Sequence, residues 1–181
     1  MSNVHFVSFV EPTPEIAEAF TRWENDPTLI PFSRPNQSKE DLEKRGVVTF
    51  DDLAQRLKHQ QIYLIYLDTQ LIGEMSYQVD PPYLFKKVGG SAWIGITIGE
   101  ANGRGKGVGY QALQHLEQQI QLHGCGRIEL GVFEFNMPAL ALYQRLNYRE
   151  ITRIADFTYW EGRMWQDIRM EKYVNPLSAS R

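Results

Sequence analysis

Four glycines on alternate positions, Gly103, Gly105, Gly107 and Gly109, with Arg104 and Lys106 between them, are the residues of this chain whose spacing most plainly suits chemistry. Glycine reaches positive φ without strain and lets the main chain approach a ligand closely, so successive N–H groups of such a loop can converge on one anion. The two cations add charge of the matching sign. From Val108 onward, Val108, Ala112, Leu113, Leu116 and Ile120 keep helical spacing, while Gln111, Gln114, His115, Gln118 and Gln121 cover the other faces. The loop therefore opens a helix N-terminus. Free N–H groups and the helix dipole, worth about 0.3–1 kcal/mol per favourable charge, draw a phosphate or pyrophosphate to that point. A purely structural turn is the bland alternative.

Spacing excludes two familiar phosphate loops. The Walker pattern needs Ser or Thr after its lysine, whereas Lys106 is followed by Gly107. The dinucleotide pattern needs glycines two and three apart; counted from Gly103 its third glycine falls on Val108, and counted from Gly105 it falls on Tyr110.

The elements that must position this loop follow from hydrophobic periodicity and turn residues. Val4 to Val10 reads as a strand, and Thr13-Pro14 starts a helix that runs to about Glu24, with Ile16, Ala19, Phe20 and Trp23 on one face. Thr28 to Val48 reads as a long irregular segment, and Thr49 with Asp52 offers a capping-box start for a helix through His59. Three strands follow, Ile62 to Leu67, Leu71 to Val79 and Ala92 to Ile98. After the glycine-loop helix, which stops at Gly124, come a strand on Ile128, Leu130 and Val132 and a helix capped by Asn136 that reaches Leu146. Strands from about Arg149 to Phe157 and Met164 to Tyr173 complete the order β-α-α-β-β-β-α-β-α-β-β.

At 181 residues and 43% hydrophobic content the chain is sized for one domain with one core, residues 1–181, ending in a flexible tail from about 175. A net charge of −3 argues against a general nucleic-acid binder. No apolar run approaches the ~20 residues of a membrane span, and Val4 to Val10 lacks the basic flank of a secretory signal. The single Cys125 cannot close an internal disulfide and suits a reducing cytoplasm. His5, His59, His115 and His123 are too scattered for a ligand cluster, so no catalytic metal is expected.

Two motifs in this order resemble the GNAT superfamily of N-acetyltransferases. Arg104-Gly105-Lys106-Gly107-Val108-Gly109 fits that family's Arg/Gln-x-x-Gly-x-Gly/Ala loop, and Asn136 to Tyr148 is similar to its Asn-x-x-Ala-x-x-x-Tyr-x-Arg/Lys-x-Gly-Phe helix. The likeness covers most of the chain from Ile62 to Tyr173. Asn147-Tyr148 stands where the family has Gly-Phe, a tolerable exchange because Asn also adopts the left-handed conformation and Tyr keeps an aromatic ring. Gly99 to Gly103 is about one residue longer than the usual link between strand and loop.

The resemblance implies a single α/β (α+β) domain with a mixed, mostly antiparallel sheet of about seven strands flanked by about four helices. It implies transfer of an acetyl group from acetyl-CoA to a primary amine by direct attack. The loop Arg104, Gly105, Lys106, Gly107, Val108 and Gly109 would then hold the pyrophosphate, and Asn136 would contact pantetheine. Backbone N–H groups near Ile96 and Ile98, on a strand that splays from its neighbour with Gly95 marking the bulge, would serve the pantetheine amides and the thioester carbonyl. Tyr143, two turns and about 10 Å beyond Asn136 on one helical face, would protonate the departing thiolate. Glu74 and Glu134 are candidate bases toward the amine, with a water chain as the alternative. Thr28 to Val48 and the final hairpin would select the acceptor. Gly162 to Lys172 is similar to the ends of ribosomal-protein and polyamine acetyltransferases, which leaves a protein N-terminus, a polyamine and an aminoglycoside-like amine open. A homodimer through the C-terminal strands is also implied. The rival from another class is a non-catalytic acyl-CoA-binding or regulatory module with the same fold.

Overall fold

The computed structural model describes residues 3–177. Its strands are β1 (Val4–Ser8), β2 (Gln61–Leu67), β3 (Gln70–Val79), β4 (Ser91–Ile98), β5 (Arg127–Phe133), β6 (Arg149–Trp160) and β7 (Arg163–Tyr173). The helices are α1 (Pro14–Glu24), α2 (Ile30–Ser33), α3 (Lys39–Glu43), α4 (Phe50–His59), α5 (Val108–Leu122) and α6 (Met137–Arg145), with a 3-10 turn at Ala101–Gly103. The strands form one sheet in the order β1-β2-β3-β4-β5-β7-β6. Every neighbouring pair is antiparallel except β4–β5, whose parallel pairing needs a crossover, and α5 supplies it.

The helices start where their caps dictate. The Thr13 hydroxyl accepts from the Ile16 N–H at α1, and Thr49 and Asp52 form the expected reciprocal box at α4. Asn136 Oδ1 accepts from the Ala139 N–H to open α6, and Asn147, at φ 67°, ends it in the left-handed region as its short side chain allows. Between β6 and β7 the pair Glu161-Gly162 has φ 48° and 81°, two successive positive values that match the twist of a tight hairpin.

Each half of the sheet is closed differently. On one face α5 lays Val108, Ala112, Leu113, Leu116 and Ile120 against Ile65, Met75, Ile94, Ile128 and Leu130, all buried. On the other, α1 and α4 cover Ile62 and Leu64 with Phe20, Trp23 and Leu53. Beyond α1 and α4 that second face is polar and still closed. Arg127 and Glu129 of β5 and Glu171 of β7 are almost wholly buried, at 1%, 0% and 0% exposure. Arg127 donates to both carboxylates and to Ser91 Oγ. Glu129 accepts from the N–H groups of Phe85 and Lys86, and the Lys86 ammonium pairs with Glu171, so the segment 80–90 is stitched over these strands.

One expectation is corrected. The segment 28–48 is not irregular throughout, because it holds α2 and α3, single turns too short to show a hydrophobic period; Ser38 caps the second by accepting from the Asp41 N–H. Six α-helices therefore stand among the described residues, where about four were expected. Of the expected tail, residues 175–177 lie against α5, with Leu177 N donating to Gln121 O and Gln121 Nε2 to Asn175 O; residues 178–181 lie outside the described residues. No helix among the described residues is long and apolar enough to cross a membrane.

Candidate active site

The sheet splits down its middle. Strands β4 and β5 pair only at Ser91, Ala92 and Trp93, so from Ile94 to Ile98 one edge of β4 has no strand partner. Gly95 does not cause this, since the β3–β4 register runs unbroken through the Ser76–Gly95 pair. The opening instead begins where the β4–β5 pairing stops. It becomes a cleft of about 1050 Å³ that runs from the glycine loop, past Ile96, Ile98, Asn136 and Tyr143, to an aromatic chamber at the β6–β7 side.

At the loop end, Gly105 and Gly107 take φ 71° and 75°, alternating with Lys106 and Val108. No acceptor among the described residues receives the N–H groups of Gly105, Lys106, Gly107, Val108, Gly109 or Tyr110, and the first intrahelical bond is Gln111 N to Gly107 O. Six successive donors without an acceptor at a helix N-terminus are an arrangement that can hold an anion. The flanking cations divide. Arg104 lines the cleft, but its Nε and Nη2 donate to Ile98 O and Gly99 O, closing off the end of the open strand. Lys106 is exposed and lies outside the lining. Arg145 takes a place there instead, its guanidinium 4.4 Å above the Tyr110 ring. It belongs to the second motif, where its spacing from Tyr143 was the available signal.

The longer link from β4 to the loop is a latch onto α1. The Trp23 indole N–H and the Arg22 guanidinium both donate to Glu100 Oε1, and a Cβ on Gly99 would fall 2.3 Å from the Trp23 ring. Burial opposes the charge on Glu100, yet these hydrogen bonds hold its carboxyl below the ordinary value.

On α6, Asn136 reaches the cleft with its Oδ1 also capping the helix, and Tyr143 lies further along the same wall. Tyr143 is 7% exposed, and burial pushes its phenol up to about 12, which keeps it a proton donor at neutral pH. Its ring meets Tyr148 edge-on at 5.7 Å.

The two candidate carboxylates separate. Glu74 lines the cleft from β3, opposite Thr97 of β4, and Arg56 binds it through one nitrogen at 3.1 and 3.2 Å. Glu134 stands outside the lining, 3.5 Å from Arg153. A carboxylate not foreseen from sequence, Asp167 of β7, lines the chamber beside Gly131, where any side chain would collide with it at 2.8 Å. Burial raises its carboxyl above the ordinary value, against the opposing bond from Arg169 Nε at 2.6 Å. Nothing in the strand pattern around Asp167 distinguishes it from a solvated residue. No group of three His, Cys, Asp or Glu among the described residues is placed to hold a metal.

Comparison with known proteins agrees with this architecture. The 86 residues aligned with the probable spermine N(1)-acetyltransferase of Bacillus subtilis subsp. natto (strain BEST195) are 33% identical and span 47% of this chain but only 57% of that relative's length. An N-acetyltransferase structure from Staphylococcus aureus Mu50 superposes with a TM-score of 0.74 at 18% identity, covering 95% of this chain and 99% of that one. The spermidine N-acetyltransferase of Vibrio cholerae, solved with CoA and spermine, gives 0.71 at 16% identity over 94% and 95%. These structures share the fold. The model of the acetyltransferase (GNAT) family matches residues 17–148, nearly the whole path from α1 to the end of the Tyr143 helix, and the chain belongs to that family.

Proposed function

We propose that this protein transfers an acetyl group from acetyl-CoA to a primary amine. The observation that carries the reading is the split between β4 and β5, which leads to six successive N–H groups without an acceptor. Acetyl-CoA supplies an acyl group already activated as a thioester. The loop from Gly105 to Tyr110 holds its pyrophosphate, with Arg145 adding charge, while the open edge of β4 near Ile96 donates to the thioester carbonyl as negative charge develops there. Asn136 borders the pantetheine path.

Catalysis then requires one proton to leave the amine and one to reach sulfur. The amine attacks in its neutral form, a C–N bond forms and the C–S bond breaks. Tyr143 gives its phenolic proton to the departing thiolate and is reprotonated from solvent. Glu74, the notable carboxylate on β3 at the cleft, takes the proton of the amine directly or through water. Glu134, which is not among the residues lining the cleft, is given no role in this reading. The reading includes a reducing cytoplasm, which suits the buried free Cys125, and pairing of two copies along β6, the outer strand of the sheet.

Thiol release from acetyl-CoA, followed with and without an amine, tests the proposal. Amine-dependent release with N-acetylated product by mass spectrometry is expected; tight CoA binding without release to any amine would leave a non-catalytic binder.

A further inference from the structure

The chamber beyond the open edge of β4 carries few charges, and each carboxylate in it already has a partner. Six charged side chains line the whole cleft: Arg56, Glu74, Arg104, Arg145, Asp167 and Arg169. Arg104 and Arg145 belong to the loop end. In the chamber Glu74 is held by Arg56 and Asp167 by Arg169, so two negative charges face two positive ones. Uncharged polar side chains such as Gln60, Ser76 and Gln78 also line the cleft, but the broad faces of its wall are six rings, Phe32, Tyr83, Trp93, Phe133, Phe135 and Phe157. These rings support one another, Phe32 on Phe135 at 5.4 Å, Phe133 on Phe157 at 6.1 Å and Tyr83 edge-on to Trp93 at 5.3 Å.

A polyamine carries several ammonium groups at neutral pH, each near a pKa of about 10.4, and each needs a carboxylate or an aromatic face when it leaves water. Here Arg169 holds Asp167, and Glu74, held by Arg56, serves the proton of the attacking amine, so no carboxylate is left for a second ammonium. The aromatic face best suited to a cation is committed as well, since the Arg169 guanidinium lies 4.7 Å above Trp93 and 5.9 Å from the Phe157 ring. A single amine on an apolar body meets no such obstacle. Its one charge is lost before attack, and its body lies against rings whose burial it completes.

Resting on the acetyl-transfer reading above, we propose that the acceptor is a primary monoamine carrying an aromatic or branched apolar body, and that the Arg56–Glu74 and Arg169–Asp167 pairs exclude polyamines. The arginines act here as selectivity residues: they occupy the acids that a polycation would need.

Initial rates of thiol release from acetyl-CoA, with 2-phenylethylamine, spermidine and a short peptide beginning with phenylalanine as acceptors, test this on the full chain. The expected kcat/KM for a ring-bearing amine, free or at the peptide N-terminus, exceeds that for spermidine about tenfold or more. Arg169→Gln and, independently, Arg56→Gln each free a carboxylate and should shift the ratio toward spermidine by about tenfold, a change that simple loss of folding would not produce. Spermidine equal to or better than both ring-bearing acceptors overturns the inference while keeping acetyl transfer. Silence with all three acceptors, in a protein that CoA still stabilises against heat, overturns it too. Silence without any CoA-induced stabilisation overturns the acetyl-CoA reading itself.

Discussion

The two ends of the cleft are made of different material. At the loop end the ligand would meet main chain: six N–H groups, two glycines at positive φ and an unpaired strand edge. At the chamber end it would meet side chains: rings from α2, β4, β5 and β6 and two carboxylate–arginine pairs. Main-chain recognition depends on conformation and tolerates little change where φ is positive. Side-chain recognition can be rewritten one residue at a time on the same backbone. The contrast teaches why a donor site can be common to a family while the acceptor differs from member to member.

Tyr143→Phe should give the largest effect and bears on the point where the two ends meet. It removes one oxygen, so kcat should fall by about 100-fold or more while CoA affinity stays within about twofold. Stopped-flow thiol release and CoA titration measure the two quantities; unchanged turnover would take Tyr143 out of the acid role. Gly107→Val tests whether the loop end is a matter of conformation. A Cβ at Gly107 meets nothing within 4 Å, yet its φ of 75° strains a β-branched residue by about 1–2 kcal/mol, so CoA should bind about tenfold more weakly. Full affinity in the folded variant would remove the distinction drawn between the ends.

Gly99→Ala should have a smaller and more diffuse effect, because the new methyl group displaces Trp23 and disturbs the latch rather than the loop itself. A loss of about 1–3 kcal/mol in stability, with several-fold weaker CoA binding and an unchanged acceptor KM, is expected from denaturant melts and steady-state kinetics. At neutral pH the smallest effect belongs to the stitching under the chamber. Burial opposes ionisation of Glu171, but hydrogen bonds from Lys86, Arg127 and Arg149 prevail and bring its carboxyl to about 2, against an ordinary 4.5. A lowered pKa in the folded chain means that this stabilisation is complete above 4.5 and is lost as pH falls through 2. The Tm should therefore be insensitive to this group near pH 7 and drop progressively below pH 4.5, a drop that Glu171→Gln should flatten.

Legibility from sequence followed the same division. Alternate glycines before an amphipathic run, and Asn136 seven residues before Tyr143, are local patterns, and local patterns carry backbone-built sites. The strands were readable for the same reason, and their order along the chain matched. What escaped was set by distant packing. The strand Arg127–Phe133 alternates as an ordinary strand does, but nothing in it tells that Arg127 and Glu129 are buried, with Glu129 bonded to segment 80–90 rather than to water. Asp167 looks like any exposed carboxylate until Gly131, 36 positions earlier, is seen to leave the space it fills. Helices α2 and α3 are four and five residues long, less than the span over which a helical period can be recognised. Glu74 and Glu134 look alike in sequence and differ in the fold, where the first lines the cleft and the second pairs with Arg153 outside the lining.

Trp23 gives the latch a spectroscopic use. Its indole N–H is bonded to Glu100, three residues before the glycine loop closes through Gly103, whereas Trp93 lines the far chamber and Trp160 and Trp165 pack around Phe135 beside it. The chain thus carries two sets of fluorophores, one mechanically tied to each end of the cleft. With Trp93, Trp160 and Trp165 replaced by phenylalanine, the remaining emission reports on the loop alone; with Trp23 replaced instead, it reports on the chamber. Occupancy of the two ends can then be timed separately in one protein, without attaching a dye to either.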